Sequence, residues 1–159
     1  GNHDFDFPQD VMKTNAELAK FPFLSANTYY NGSYPEYLKP SIIKDIDGIK
    51  VAIVGLTDDS SGYYTHPNNV KGVEFENHFE AAKKEVDEVK DNSDIIISLA
   101  HLHNDNGVLG EKIQGIDFVF GGGTDIVDYP RKTGDSWLIS SGKHAEKNDP
   151  FDVKVFIID

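Results

Sequence analysis

Two apolar runs rich in β-branched residues, 49–56 and 94–100, bracket a stretch of helical period. That succession restricts the chain to folds in which helices cover a sheet. The second run contains Ile95-Ile96-Ile97, which suits a buried strand. Between the runs, Phe79, Ala82, Val86 and Val89 share one face of a helix predicted over 74–91, with charges on its other faces. Ahead of the first run, residues 41–46 lead into Asp47-Gly48, a two-residue turn signal that predicts a hairpin.

The remaining elements are shorter. A helix is expected over 7–20, with Asp6 as N-cap, Pro8 in the first turn, and Val11 and Leu18 on a common face. A strand is expected over 23–27 and a loop over 31–40. A long polar loop is expected over 57–72, a length at which loops of compact domains are often functional. A short helix at 108–113 and strands at 117–120, 136–140 and 152–158 complete the reading; in the last, Val153, Val155 and Ile157 alternate with Asp152, Lys154 and Phe156. There is no repeat, low-complexity tract or internal linker. The expected class is α/β, or α+β, with a mixed sheet.

Composition narrows the partners. The net charge is −12, so there is no cationic excess to release counterions from a nucleic-acid polymer or to seek an anionic membrane. A small anionic substrate remains compatible if bound metals invert the local field. With no cysteine, disulfides, zinc-thiolate sites and a cysteine nucleophile are excluded. No apolar run reaches the roughly 20 residues of a membrane span. There is also no Gly-x-Ser-x-Gly elbow and no His-Glu-x-x-His.

Three segments concentrate candidate chemistry. Gly1-Asn2-His3-Asp4-Phe5-Asp6 offers an amide oxygen, an imidazole and carboxylates. His3 can stabilise a leaving oxygen, and Asp6, three residues on, can fix its tautomer. The same residues equally suit a loop closed by a helix-capping Asp. His101-Leu102-His103-Asn104-Asp105-Asn106-Gly107 follows a strand and carries two imidazoles, the commonest metal-ligand type, though an ordinary surface loop has the same composition. Gly121-Gly122-Gly123-Thr124-Asp125 is a turn that a phosphate can approach closely, but it matches neither a P-loop nor a dinucleotide fingerprint. Of the other histidines, His66 and His78 are expected on the surface, and His144 is a candidate for the edge of a site.

Taken in order, these segments resemble the calcineurin-like metallophosphoesterases, specifically their 5′-nucleotidase branch. Phe23-Leu24-Ser25-Ala26-Asn27, the run from Gly48 to Thr57, and Gly115-Ile116-Asp117-Phe118-Val119-Phe120-Gly121-Gly122 look like that branch too, so the resemblance spans the chain. It implies a two-sheet β core flanked by helices and a site for two divalent metal ions (manganese, zinc, magnesium or calcium in type). It also implies hydrolysis of a nucleotide or another small-molecule phosphate ester, and an extracellular, periplasmic or cell-surface location. Carried across, Asn2 and His101 would ligate one metal, while His3 would be the catalytic imidazole and Asp6 its orienting partner. Gly122 and Gly123, with His103, would approach the substrate.

The departures are specific. Gly123 stands where the family has a histidine, and Asp125 stands at its His/Gln position, leaving an oxygen donor in place of an imidazole. Three further ligands, an Asp-x-His pair and a bridging Asp, precede Gly-Asn-His in the family. The expectation is therefore that residues 1–159 are a partial catalytic domain. Its upstream part and a second, nucleoside-binding domain would lie elsewhere, and the chain alone would hold at most one metal weakly. The competing expectation is a degenerate, non-catalytic homologue that serves as a binding or structural module.

Overall fold

The computed structural model describes residues 1–123 and 130–140. The expected strand at 152–158, together with Asp125 and His144, lies outside them. The chain opens with a 3-10 turn, Asn2–Asp6, followed by α1 (Gln9–Leu18), β1 (Phe23–Leu24), β2 (Thr28–Tyr30), β3 (Leu38–Lys39), β4 (Ser41–Ile46) and β5 (Ile49–Thr57). Next come α2 (Ser61–Tyr64), β6 (Val73–Phe75), α3 (His78–Val89), β7 (Ile95–His101) and α4 (Asp105–Lys112). The described part closes with β8 (Phe118–Gly121), β9 (Arg131–Thr133) and β10 (Ser136–Ser140).

The main sheet has six strands in the order β4-β5-β7-β8-β10-β9. Its outer pairs are antiparallel, and β5, β7, β8 and β10 run parallel. Two two-stranded ribbons, β1-β3 and β2-β6, flank it. The class is α/β, as the interleaved runs require. At the predicted hairpin, Asp47 and Gly48 take φ of 53° and 90°, the left-handed pair that matches the twist of the strands they join.

Helices α3 and α4 cover one face of this sheet. Ala82, Val86 and Val89 of α3 and Leu109 of α4 pack on Ala52, Val54, Leu56, Ile96, Ala100, Val119 and Leu138 in one buried cluster. Each large aliphatic chain buried in this way contributes about 1.5–3 kcal/mol. Helix α3 starts at His78 rather than at residue 74, because Glu74 belongs to β6 and Asn77 caps the helix by accepting from the amides of Phe79 and Glu80. The opposite face of the sheet leaves Leu99 and Phe120 46% and 41% exposed.

Helix α1 differs from expectation. It begins at Gln9 after Pro8, its buried residue is Met12, and Leu18 is 77% exposed. Asp6 does not cap it, because the Asp6 carboxylate is engaged by His3. Met12 joins Phe5 and Leu38 in a second cluster, in which Phe5 stands edge-on to Phe75 with ring centres 4.9 Å apart. The phenylalanine inside the opening motif thus anchors the 3-10 turn. Bonds from Thr65 Oγ1 to the Phe5 carbonyl (2.7 Å) and from Asn69 Nδ2 to the Asp6 carbonyl (2.6 Å) reinforce it. Among the described residues, no helix is long and apolar enough to cross a membrane.

Candidate active site

Strands β5, β7 and β8 are parallel and in register at their carboxyl ends, with Thr57 opposite His101 and Ala100 opposite Gly121. The turns that leave them therefore emerge along one sheet edge, the usual position for a ligand site in a parallel sheet. These turns are Asp58-Asp59 after β5, Leu102-His103-Asn104 after β7 and Gly122-Gly123 after β8. The 3-10 turn lies against the same edge, where the His101 ring packs on the bare Cα atoms of Gly1 and Gly122; a Cβ on either would come within 2.7–2.8 Å of the imidazole.

An open cleft of about 700 Å³ lies there, and its lining includes Asn2, His3, Asp58, Asp59, His103 and Asp105. His101, Gly122 and Gly123 stand behind this lining, packed against one another and against His103. The sequence candidates within the described residues thus come together from residues 1–6 and 101–123.

His3 Nδ1 lies 2.7 Å from Asp6 Oδ2. That contact orients the ring and leaves Nε2 as the free nitrogen of a largely exposed side chain. Asn2 Oδ1 is buried and has no hydrogen-bond partner among the described residues, a configuration that costs about 1–3 kcal/mol unless a ligand satisfies it. The His101 imidazole is pushed down to about 4, chiefly by burial and further by the His103 and His3 imidazoles nearby. It is neutral at physiological pH, the form in which imidazole binds metals. In kind, therefore, Asn2 and His101 suit a divalent cation. In number they are few, since no group of three His, Asp or Glu among the described residues is arranged to hold one.

His103 occupies the left-handed region, with φ of 53°. Its ring centre lies 5.3 Å from that of His101, and its Nε2 is 3.3 Å from Asp58 Oδ2. Gly123, the position at which the family resemblance implies a histidine, has φ of 107°, and a Cβ there would fall 2.8 Å from His103 Nδ1. The His103 ring fills the space that a residue-123 side chain would need.

Three features escaped the sequence reading. The first is Asp58-Asp59, which the sequence reading covered only as part of the long polar loop expected over 57–72. The second is Asn106, which is fully buried: its Oδ1 accepts from the Leu102 amide, and its Nδ2 donates to the carbonyls of His103 and Gly122. The third is His78, expected to be solvated and found 4% exposed, with Nδ1 3.3 Å from Asp59 Oδ2 and Nε2 3.2 Å from Asp105 Oδ2. The physical reason is that two carboxylates from distant turns close over a helix start that looks open in sequence.

No family model matches the chain. A 5′-nucleotidase of Vibrio cholerae is 37% identical over 118 residues, covering 72% of this chain and 21% of its own length. The protein UshA of Salmonella pullorum is 38% identical over the same number of residues, covering 72% of this chain and 22% of its own. The chain belongs to the 5′-nucleotidase family. This member spans about a fifth of the length of those curated relatives. Among solved structures, the NAD nucleotidase NadN of Haemophilus influenzae superposes with a TM-score of 0.73 at 25% identity, covering 88% of this nucleotidase-family chain and 32% of NadN.

Proposed function

We propose that the chain forms part of the catalytic domain of a metal-dependent phosphoesterase. Its substrates would be nucleoside 5′-phosphates or related small phosphate esters. The observation that carries the reading is the orphaned Asn2 oxygen beside a His3–Asp6 pair, with the neutral His101 behind them. Asn2 and His101 would hold a divalent ion. Such ions, when bound, supply a hydroxide at neutral pH and neutralise phosphoryl charge. Asp6 holds the ring of His3, which lines the cleft. From there His3 stabilises negative charge developing on the transferring phosphoryl group and the leaving oxygen. By family, such an enzyme would work at the cell surface, in the periplasm or outside the cell.

The second reading, a homologue that binds without catalysis, is favoured by Gly123, which offers no ligand and whose backbone and neighbour leave no room for one. Activity and metal binding separate the two. The isolated chain is expected to hydrolyse adenosine 5′-monophosphate only marginally with manganese, for want of donors. Robust turnover abolished by His3→Ala would show that His103, Asp105 or a second copy completes the site. Titrated manganese should broaden the NMR signals of Asn2 and His101 before any others. If broadening is confined to Asp58, Asp59 and Asp105, the assignment of the metal donors fails.

A further inference from the structure

The cleft carries three carboxylates, Asp58, Asp59 and Asp105, and among the described residues no lysine or arginine lines it. Left to themselves, like charges on adjoining turns repel and open the wall they belong to. Each faces an imidazole instead. Asp58 faces His103, whereas Asp59 and Asp105 share the one ring of His78. We propose that His78 is a positioning residue of the cleft. Its buried imidazole draws the turn after β5 and the head of α4 together and so sets the opposition of Asp58 and His103 across the wall.

Three observations support this. The first is burial: at 4% exposure the ring nitrogens have no access to water, and the polar groups set against them are the carboxylates of Asp59 and Asp105. The contacts, at 3.3 and 3.2 Å, are close approaches without the alignment of a hydrogen bond. The second is the anchoring of each carboxylate. Asp59 Oδ2 also accepts from Asn77 Nδ2 at 3.0 Å, and Asn77 caps α3, so the Asp59 turn is fastened to the helix that carries His78. Asp105 begins α4 and precedes Asn106, which holds the His103 and Gly122 carbonyls. A displacement at Asp105 therefore reaches both turns behind the cleft. The third is geometry: the two nitrogens lie on opposite sides of one small ring, so a single side chain stands within 3.2–3.3 Å of both carboxylates. Leucine would fill the same space and satisfy neither.

The consequence for turnover rests on the phosphoesterase reading, but the positional claim does not, and the test addresses the positional claim. In the 159-residue chain labelled with nitrogen-15, His78→Leu should move the amide signals at 58–60 and at 103–106 together, while those at 45–49 in the remote hairpin stay in place. His78→Gln, which keeps a donor, should bring both sets part of the way back. Asp59→Asn leaves His78 untouched and should still move the signals at 103–106 through the ring, and Asp105→Asn should move those at 58–60. These two variants decide the matter if His78→Leu does not fold. Should each aspartate variant disturb only its own turn, or His78→Leu disturb only α3, His78 is filler and the proposal is wrong. Binding of adenosine 5′-monophosphate is measured separately, so its failure would count against the phosphoesterase reading alone.

Discussion

Asn106 donates to the carbonyl of Gly122 across 2.7 Å, and by that bond the turn after β7 is fixed to the glycine turn after β8. The same carboxamide serves the Leu102 amide and the His103 carbonyl. Asn106→Leu keeps the volume and leaves three backbone groups, one buried and two partly buried, without this partner. It should lower the free energy of unfolding in urea by about 2–4 kcal/mol. Asn106→Asp should be at least as harmful, because it turns a carboxylate oxygen toward two carbonyls. A loss under 1 kcal/mol for both would mean that water replaces the carboxamide.

Restoring histidine at position 123 is the obvious repair to the ligand set, and the geometry argues against it. The φ of 107° is unfavourable for any side chain, and the new Cβ would meet His103. Gly123→His alone should destabilise the chain by about 1–3 kcal/mol and add no manganese affinity. Combined with His103→Gly, which frees the space, part of that stability should return. Thermal unfolding with and without manganese reads both effects.

The depressed His101 imidazole makes stability depend on pH in a definite direction. Its folded value is about 4 against an ordinary 6.5. Between those values the unfolded chain binds a proton that the folded chain does not, so unfolding becomes easier as pH falls through that window. The contribution is complete above 6.5 and exhausted below about 4. The melting temperature of the wild type minus that of His101→Gln should therefore decline from pH 6.5 to 4 and be flat above. A flat difference throughout would refute the depressed value.

A Cβ on Gly55 would sit 2.4 Å from the carbonyl carbon and oxygen of Leu24, where β1 crosses β5. Backbone cannot rotate aside as a side chain can. Gly55→Ala should cost stability at the upper end of the about 1–3 kcal/mol typical of overpacking, read from the urea midpoint at unchanged slope.

Elements governed by local pattern were legible in the sequence. Asp47-Gly48 specifies its own turn, Ile95-Ile96-Ile97 specifies a strand, and the Ala82–Val86–Val89 stripe specifies which face of α3 is buried. The segments that converge at the site could be read from their order along the chain. What could not be read depends on partners distant in sequence. His78 looks like a solvated helix start until Asp59 and Asp105 close over it. Leu18 looks like a core residue until Met12 is seen to take that role beside Phe5. Asp6 suits two partners equally well, a helix amide or the His3 ring, and only the tight turn of residues 2–6 selects the ring.

The hairpin closed by Asp47-Gly48 has a consequence for how the sheet is made. Hairpins form within about 1–10 μs, well before parallel pairings that must first close a helical crossover. With β4 and β5 paired, β7, β8 and β10 can dock in chain order, each on the edge left by the one before, whereas β9 pairs only with β10, which follows it in the chain. The parallel part of the sheet can therefore be laid down in the direction of synthesis, while the ribosome is still supplying the next strand.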